Sequence, residues 1–174
     1  VLDIGGTNTR VALTRGHALI AESVKKYPNS DFRDLKSVIE TYLDDQNPGT
    51  LDRVCVAAAG PVSGDRAEMT NLDWVIDACD IGSATGSTKV GVINDLQAQG
   101  YSLHMLDKND TRCVLAGTHQ VHDNDTKIVI AMGTGFNAAP VFHTSAGRYV
   151  PPSEIGHARI AVASAEQAKI VAHI

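Results

Sequence analysis

The feature that most constrains the fold is the opening segment, in which two short apolar runs flank a pair of glycines. The apolar runs predict two buried strands. The Gly5-Gly6 pair predicts a tight turn between them, because glycine accepts positive φ and lets the backbone approach a ligand closely. Thr7 and Asn8 add polar groups at the tip, so the turn is a candidate phosphate site. A polar hairpin without a ligand is the alternative.

Asp3 precedes this turn and is predicted to face it. A single carboxylate suits Mg²⁺ held through water, because this ion prefers one or two carboxylates together with phosphate oxygens. The segment is not a Walker A loop, since no Gly-Lys-Ser/Thr follows it. It is not a dinucleotide fingerprint either, since the following run predicts a strand and not a helix.

The composition is that of a folded protein with an excess of negative charge. Of 174 residues, 43% are hydrophobic and 20% are charged, which is typical of a globular chain. The net charge of −5 argues against a nucleic-acid or membrane-surface partner. No apolar stretch approaches the roughly 20 residues of a membrane span. Three scattered cysteines and no signal peptide predict a reducing cytoplasm, with Cys55 in the core.

The spacing of apolar residues predicts alternating strands and helices. A helix is expected from Ser30 or Asp31 to about Asp45, after a turn at 28–30. Its buried stripe would consist of Leu35, Val38, Ile39 and Leu43. Interior strands are predicted at 51–59 and 89–93, a further helix at 95–106, and a second strand-turn-strand at 127–142.

Three later motifs follow in order, namely Ile93-Asn94-Asp95, Gly133-Thr134-Gly135 and Glu154-Ile155-Gly156-His157. Together with the opening segment they resemble the bacterial glucokinases, of the sugar kinase/Hsp70/actin superfamily. The resemblance runs along nearly the whole chain. It implies ATP-dependent phosphorylation of a hexose, with glucose at its 6-hydroxyl as the leading substrate.

The resemblance also implies the architecture. We expect an α/β fold with a ribonuclease H-like mixed sheet flanked by helices, as in actin-like ATPases, and the start of a second similar domain. A polar turn at 107–110 places the boundary between domains 1–106 and 107–174. ATP and Mg²⁺ are the implied cofactors, and a cytoplasmic homodimer is compatible with the family. Because the resembled enzymes are longer and carry later adenosine-binding motifs, the chain is expected to be an N-terminal part.

Asp95 is the predicted catalytic base. It follows a buried strand where a helix begins, which is the end of an open α/β sheet where ligands bind. Phosphoryl transfer needs a carboxylate that takes the proton of the acceptor hydroxyl. Asn94 is predicted to bind neighbouring sugar hydroxyls. From the residues alone, Asn94 or Asp95 could simply cap the helix, and the resemblance favours the base.

Glu154 and His157 are predicted to orient the sugar. They lie three residues apart on one short turn, and each side chain offers directional hydrogen bonds. Half of a metal site is the alternative, but no third ligand lies nearby in the sequence. Asn71 is a further candidate for lining the sugar cleft.

The resemblance makes Gly133-Thr134-Gly135 a second phosphate turn, whose backbone N–H groups would hold the terminal phosphates. Here the chain departs from the family pattern, which has a further glycine where this chain has Asn137. Asparagine tolerates positive φ better than most residues, so we expect the turn to keep its shape. Close approach of a phosphate to this turn is left open.

Two alternatives to a glucokinase remain at this point. One is a related kinase of the repressor/ORF/kinase family, acting on N-acetylmannosamine or another hexose. Its cysteine-rich zinc segment should follow soon, yet residues 158–174 contain no cysteine. The other is a non-catalytic sugar-binding domain, which would bind a hexose without turning over ATP.

Overall fold

The computed structural model describes residues 1–69, 72–118, 122, 124–132, 136–157 and 161–172, with the side chain of His157 left out. The strands are β1 (Leu2–Ile4), β2 (Asn8–Val11), β3 (Thr14–Arg15), β4 (Ala18–Leu19), β5 (Lys25–Pro28), β6 (Val54–Ala58), β7 (Val62–Ser63), β8 (Arg66–Glu68), β9 (Val75–Asp77), β10 (Val90–Asn94), β11 (Lys127–Met132), β12 (Phe136–Thr144) and β13 (Gly147–Tyr149). The helices are α1 (Leu35–Gln46), α2 (Ala78–Thr85), α3 (Asp95–Ser102) and α4 (Ala165–Val171). Within these ranges, no helix has the length and apolar character that a membrane crossing requires.

The first sheet is mixed and has five strands in the order β10-β6-β1-β2-β5. Strands β10, β6 and β1 run parallel, whereas β2 and β5 are antiparallel to their neighbours. The register places Ile4 beside Ala58 and Ala58 beside Asn94. The carboxyl ends of the three parallel strands therefore lie level with one another. This sheet and its helices confirm the predicted α/β fold.

Helices α1 and α2 contribute to the core of the first sheet. The largest fully buried side chains of this core include Ile4, Val38, Tyr42, Val56 and Ile76. Alternation along the strands directs one set of side chains toward this core and the other set away from it. Cys55 belongs to the second set and is exposed, so its predicted place in the core is wrong.

Helix α1 begins later than the sequence predicted, because residues Asn29–Asp31 form a 3₁₀ turn. Its N-cap is Asp34, whereas Ser30 or Asp31 had been predicted. The Asp34 carboxylate accepts from the Ser37 N–H at 2.9 Å, and the Ser37 hydroxyl accepts from the Asp34 N–H at 3.4 Å. This capping box satisfies two of the N–H groups that a helix start leaves unpaired. Tyr42 is fully buried in the helix stripe, whereas Leu43 is only half-buried.

A second, antiparallel sheet contains β11, β12 and β13 in that order. It confirms the two strands that were predicted near residues 127–142, while residues 133–135 between them lie outside the described residues. Helix α3 packs against this sheet, and the two form their own apolar cluster of Leu96, Val129, Ala139, Val141 and Val150. The N-terminus of α3 directly follows β10 of the first sheet. One helix therefore connects the edge of the first sheet to the core of the second.

Candidate active site

The candidate site lies where the three parallel strands of the first sheet end. Strand β1 leads into the Gly5-Gly6 turn, β6 leads into Ala59, and β10 leads into Asp95. The Ala59 N–H donates to the Ile4 carbonyl at 2.9 Å, which holds the first two exits together. The structure thus brings the first glycine turn and Asp95 to one edge of the sheet, where open α/β sheets bind ligands.

The glycines of the first turn are not required for the conformational reason that the sequence predicted. Neither Gly5 nor Gly6 has a positive φ, so left-handed backbone is not what requires glycine here. A Cβ on Gly5 would meet the Asn8 carbonyl oxygen at 3.4 Å, which is an ordinary contact. The chain therefore has room for a side chain at Gly5 and lacks one. The Gly5 N–H donates to the Asn8 carbonyl at 3.0 Å, which closes the turn.

Asn29 anchors this turn through hydrogen bonds, a role that could not be predicted from the sequence. Its side chain is 3% exposed. Its amide donates to the Gly5 carbonyl at 2.9 Å, and its Oδ1 accepts from the Thr9 hydroxyl at 2.8 Å. Its backbone N–H donates to the Thr7 carbonyl at 2.9 Å. Asn29 thereby fixes the turn on both sides, through contacts too distant in sequence for any local pattern to indicate.

Replacing Asn29 with alanine is expected to destabilise the protein. The change removes one buried and one partly buried side-chain hydrogen bond and leaves the Thr9 hydroxyl without its partner, which costs about 1–3 kcal/mol of unfolding free energy. Urea unfolding measures the effect. Ser30→Ala, in the same 3₁₀ turn but exposed, is the matched control and should change stability little. Equal stability of the Asn29 variant and the wild type would contradict the role of Asn29.

Asn94 has the capping role that the sequence analysis gave as the alternative. Its side chain is buried, and its Oδ1 accepts from the Leu96 N–H at 2.9 Å. Its amide donates to the Gly60 carbonyl at 3.1 Å. A Cβ on Gly60 would collide with the carbonyl oxygen of Glu68, so this turn is closely packed. One N–H of the Asn94 amide remains for a ligand, since an amide NH₂ has two. The sugar contact stays a prediction.

Asp95 is the first residue of α3 and is half-buried. Its Oδ1 accepts from the Leu96 N–H at 2.8 Å. Burial raises the pKa of the Asp95 carboxyl, and the negative charge of Asp3 raises it further, while the hydrogen bond from Leu96 opposes both effects. A carboxylate with a raised pKa at a ligand-binding edge is suited to accept a proton.

Asp3 lies on β1, on the opposite side of the strand from buried Leu2 and Ile4. Its Oδ2 accepts from Arg10 on β2 at 2.9 Å, and both side chains are more than half exposed. The described residues contain no group of three or more His, Cys, Asp or Glu that could hold a metal. A single carboxylate beside the glycine turn fits a cation held chiefly by phosphate oxygens, and does not fit a protein-enclosed metal site.

The segment that carries Glu154 lies against the start of β12. Residues Ile155–His157 form a 3₁₀ turn, and a Cβ on Gly156 would overlap the carbonyl oxygen of Phe136. The Asn137 amide donates to the Ser153 carbonyl at 2.8 Å, and the Ser153 hydroxyl donates to the Ala138 carbonyl at 2.5 Å. Asn137 lies within strand β12 and does not have a positive φ, so its tolerance of such a conformation is not used. Its side chain instead anchors the segment before Glu154.

Not every predicted site residue can be placed. Glu154 is exposed on its turn. Asn71 and the turn Gly133-Thr134-Gly135 lie outside the described residues, as does the side chain of His157. Phe136 directly follows the second glycine turn in sequence. The contact of Gly156 with Phe136 therefore places the Glu154 segment beside the strand that leaves this turn.

The first sheet is mixed, has its candidate site at the ends of its parallel strands, and is joined through α3 to a second sheet. This architecture belongs to the class of actin-like ATPase folds. The glucokinase family model matches residues 1–174. The chain belongs to the glucokinase family. This confirms the resemblance drawn from the motifs.

Individual relatives agree with this assignment. The chain is 31% identical over 174 residues to a glucokinase of Saccharophagus degradans, covering 98% of this chain and 54% of the relative. It is 33% identical to a glucokinase of Photorhabdus laumondii, covering 99% and 53%. The crystal structure of a glucokinase from an Antarctic psychrotroph has a TM-score of 0.82 and 31% identity, over 98% of this chain and 54% of that one. A glucokinase from Balamuthia mandrillaris in complex with glucose has a TM-score of 0.70 and 25% identity, over 98% and 52%. The chain thus spans about half the length of the curated relatives that it matches.

Proposed function

We propose that the protein takes part in the ATP-dependent phosphorylation of glucose to glucose 6-phosphate. The observation that carries this proposal is the position of Asp95, a half-buried carboxylate with a raised pKa at the same sheet edge as the first glycine turn. Membership of the glucokinase family supports it. The glucose bound to the Balamuthia mandrillaris relative supports a hexose as the acceptor.

In this proposal Asp95 accepts the proton of the sugar 6-hydroxyl as the terminal phosphoryl group of ATP is transferred. The hydrogen bond from Leu96 fixes one carboxylate oxygen and so orients the other. Asn94 offers its remaining amide N–H to a neighbouring sugar hydroxyl. Glu154, His157 and Asn71 are proposed to complete the sugar contacts.

The phosphates are proposed to lie against the two glycine turns, formed by Gly5, Gly6, Thr7 and Asn8 and by Gly133, Thr134 and Gly135. The position of the first turn at the ligand-binding edge of the sheet supports this role. Asp3 would hold Mg²⁺ through water, and that ion would neutralise charge on the phosphates when bound. A cytoplasmic location, a homodimer and the domain division at residue 107 stay predictions from the resemblance.

A coupled assay of ADP release tests the proposal directly. ATP, Mg²⁺ and glucose are supplied to the protein, and N-acetylmannosamine replaces glucose in a parallel reaction. We expect ADP release that depends on glucose. A preference for N-acetylmannosamine would instead favour the related kinase family. Glucose binding in calorimetry without ADP release would favour a sugar-binding domain. The absence of both glucose binding and ADP release would contradict the proposal.

The pH dependence of turnover gives a separate prediction. A base acts only when deprotonated, so kcat/KM should rise with pH through the pKa of Asp95. Because burial and the charge of Asp3 raise this pKa, the acid limb should lie above the range of an ordinary aspartate. Removing the Asp3 charge in Asp3→Asn should move the limb to lower pH. A limb at the same pH in both proteins would show that Asp3 does not act on the base.

A further inference from the structure

Helix α3 closely holds Val150, the residue that directly follows β13. Val150 is fully buried, and its carbonyl accepts from the Gln97 Nε2 at 2.9 Å. Its N–H donates to the Tyr101 hydroxyl at 3.4 Å. Gly100 lies between these two side chains on the same helix face, and a Cβ there would stand 2.8 Å from the Val150 Cγ1. Both backbone polar groups of Val150 are therefore paired with side chains of α3.

The other end of Gln97 reaches the proposed catalytic turn. Its Oε1 accepts from the Asn94 N–H at 3.1 Å, and the residue is 8% exposed. The same side chain thus bonds the backbone immediately before Asp95 and the backbone of Val150, 53 residues away from Gln97. The Gln97 amide uses its oxygen as an acceptor and its nitrogen as a donor at the same time, and these two bonds fix the orientation of the side chain.

The segment from Val150 to Glu154 is short and stiff. Pro151 and Pro152 follow Val150 directly, and proline fixes φ near −65°. At the far end, Asn137 donates to the Ser153 carbonyl. We therefore expect a displacement of Val150 to reach Glu154, because the two prolines leave little backbone freedom to absorb it.

We propose that Gln97 is a positioning residue that sets the separation between Asp95 and Glu154. It does so by joining the turn before Asp95 to the segment that leads to Glu154. The importance of this separation for glucose rests on the proposed function. The joining itself is a property of the fold and is testable without turnover.

Gln97→Glu separates the two bonds of this side chain. A carboxylate still accepts from the Asn94 N–H, so the helix cap is kept, but it cannot donate to the Val150 carbonyl and repels it. We expect the KM for glucose to rise about tenfold, the scale of one lost buried hydrogen bond, while the KM for ATP changes less than about twofold. Amide hydrogen exchange at Val150, Ser153 and Glu154 should accelerate in the same variant.

Two further variants complete the design. Gln99→Glu adds the same charge to the exposed side of the same helix, and should leave both KM values and the exchange rates near those of the wild type. Gln97→Met removes both bonds without adding a charge, so it should match Gln97→Glu in its effect on glucose and be less stable than the wild type because the cap is broken. The loss of stability shows in urea unfolding.

The outcomes are distinct. Wild-type KM and exchange rates in Gln97→Glu would show that Gln97 only caps the helix, and would overturn the inference. If the wild type does not phosphorylate glucose, the proposed function fails. In that case faster exchange at 150–154 in Gln97→Glu would still show the joining of the two segments, and unchanged exchange would refute it.

Discussion

Asp95→Asn is expected to abolish turnover while leaving the site in place. Asparagine keeps an oxygen that accepts from the Leu96 N–H, so the start of α3 should be preserved. It cannot accept a proton from the sugar, and the loss of a general base lowers kcat by about 10²–10⁴-fold. Glucose affinity should change little, because the amide still offers hydrogen bonds. The coupled ADP assay and calorimetry with glucose measure the two quantities.

The same variant should be more stable than the wild type at neutral pH. The pKa of Asp95 is raised in the folded protein, so the folded state favours the protonated carboxyl. The contribution of Asp95 to stability is therefore lost as pH rises through its folded pKa, and the charged form disfavours folding above it. Removing the charge relieves this cost, and we expect a higher unfolding midpoint. If Asp95→Asn keeps the turnover of the wild type in the ADP assay, Asp95 is not the catalytic base.

Asp77→Asn provides the control for these measurements. Asp77 is also a carboxylate at a helix N-terminus, and it accepts from the Cys79 N–H at 2.8 Å. It lies outside the proposed site. Its replacement should leave turnover unchanged, which would separate the chemistry of Asp95 from the general effect of losing a capping charge.

Gly156→Ala is expected to displace the turn that carries Glu154 and His157. The added Cβ would overlap the Phe136 carbonyl oxygen, and a backbone atom cannot move aside as a flexible side chain can. Forced overpacking of this kind costs about 1–3 kcal/mol. Part of this cost should appear as lower stability in urea unfolding. The rest should appear as a KM for glucose raised by about tenfold or more, since 1.4 kcal/mol is a factor of ten.

Gly91→Ala is the matched control for this change. Gly91 lies in β10, has no positive φ, and has open space where a Cβ would be added. Alanine there should leave both stability and the KM for glucose close to wild type. A Gly156 variant that behaves like the Gly91 variant would mean that the turn tolerates a side chain. Its close contact with β12 would then affect neither stability nor the KM for glucose.

The sequence predicted most reliably what depends on neighbours along the chain. The strand that ends at Asn94 and the helix that begins at Asp95 were both predicted, because a continuous apolar run is followed by capping residues. The start of α1 was misplaced, since Ser30 and Asp31 are by residue type as good caps as Asp34. The 3₁₀ turn at Asn29–Asp31 excludes both of them. The turn after β1 was located correctly in sequence, but its φ angles do not support the predicted reason for its glycines, and phosphate binding stays a prediction.

Contacts that join distant parts of the chain could not be predicted in this way. Asn29 is an ordinary turn residue until β1 and β5 are brought to either side of β2. Gln97 falls on a helix whose apolar periodicity says nothing about Val150. In both cases a buried polar side chain is explained only by the partner that tertiary structure supplies, and a single sequence contains no local trace of that pairing.

The position of α3 determines how the protein can be divided. A cut in the polar turn after Leu106 looks harmless, because it falls between the two sheets in sequence. It would leave α3 attached to the first sheet with Leu96 exposed to water, and it would remove from the second sheet the helix that covers Val129 and Val141. The second piece would lack part of its interior, whereas the first would keep its own core, whose buried residues all precede residue 93. The second sheet therefore depends for its interior on a helix that precedes the cut, and expression of residues 107–174 alone should yield an unstable product.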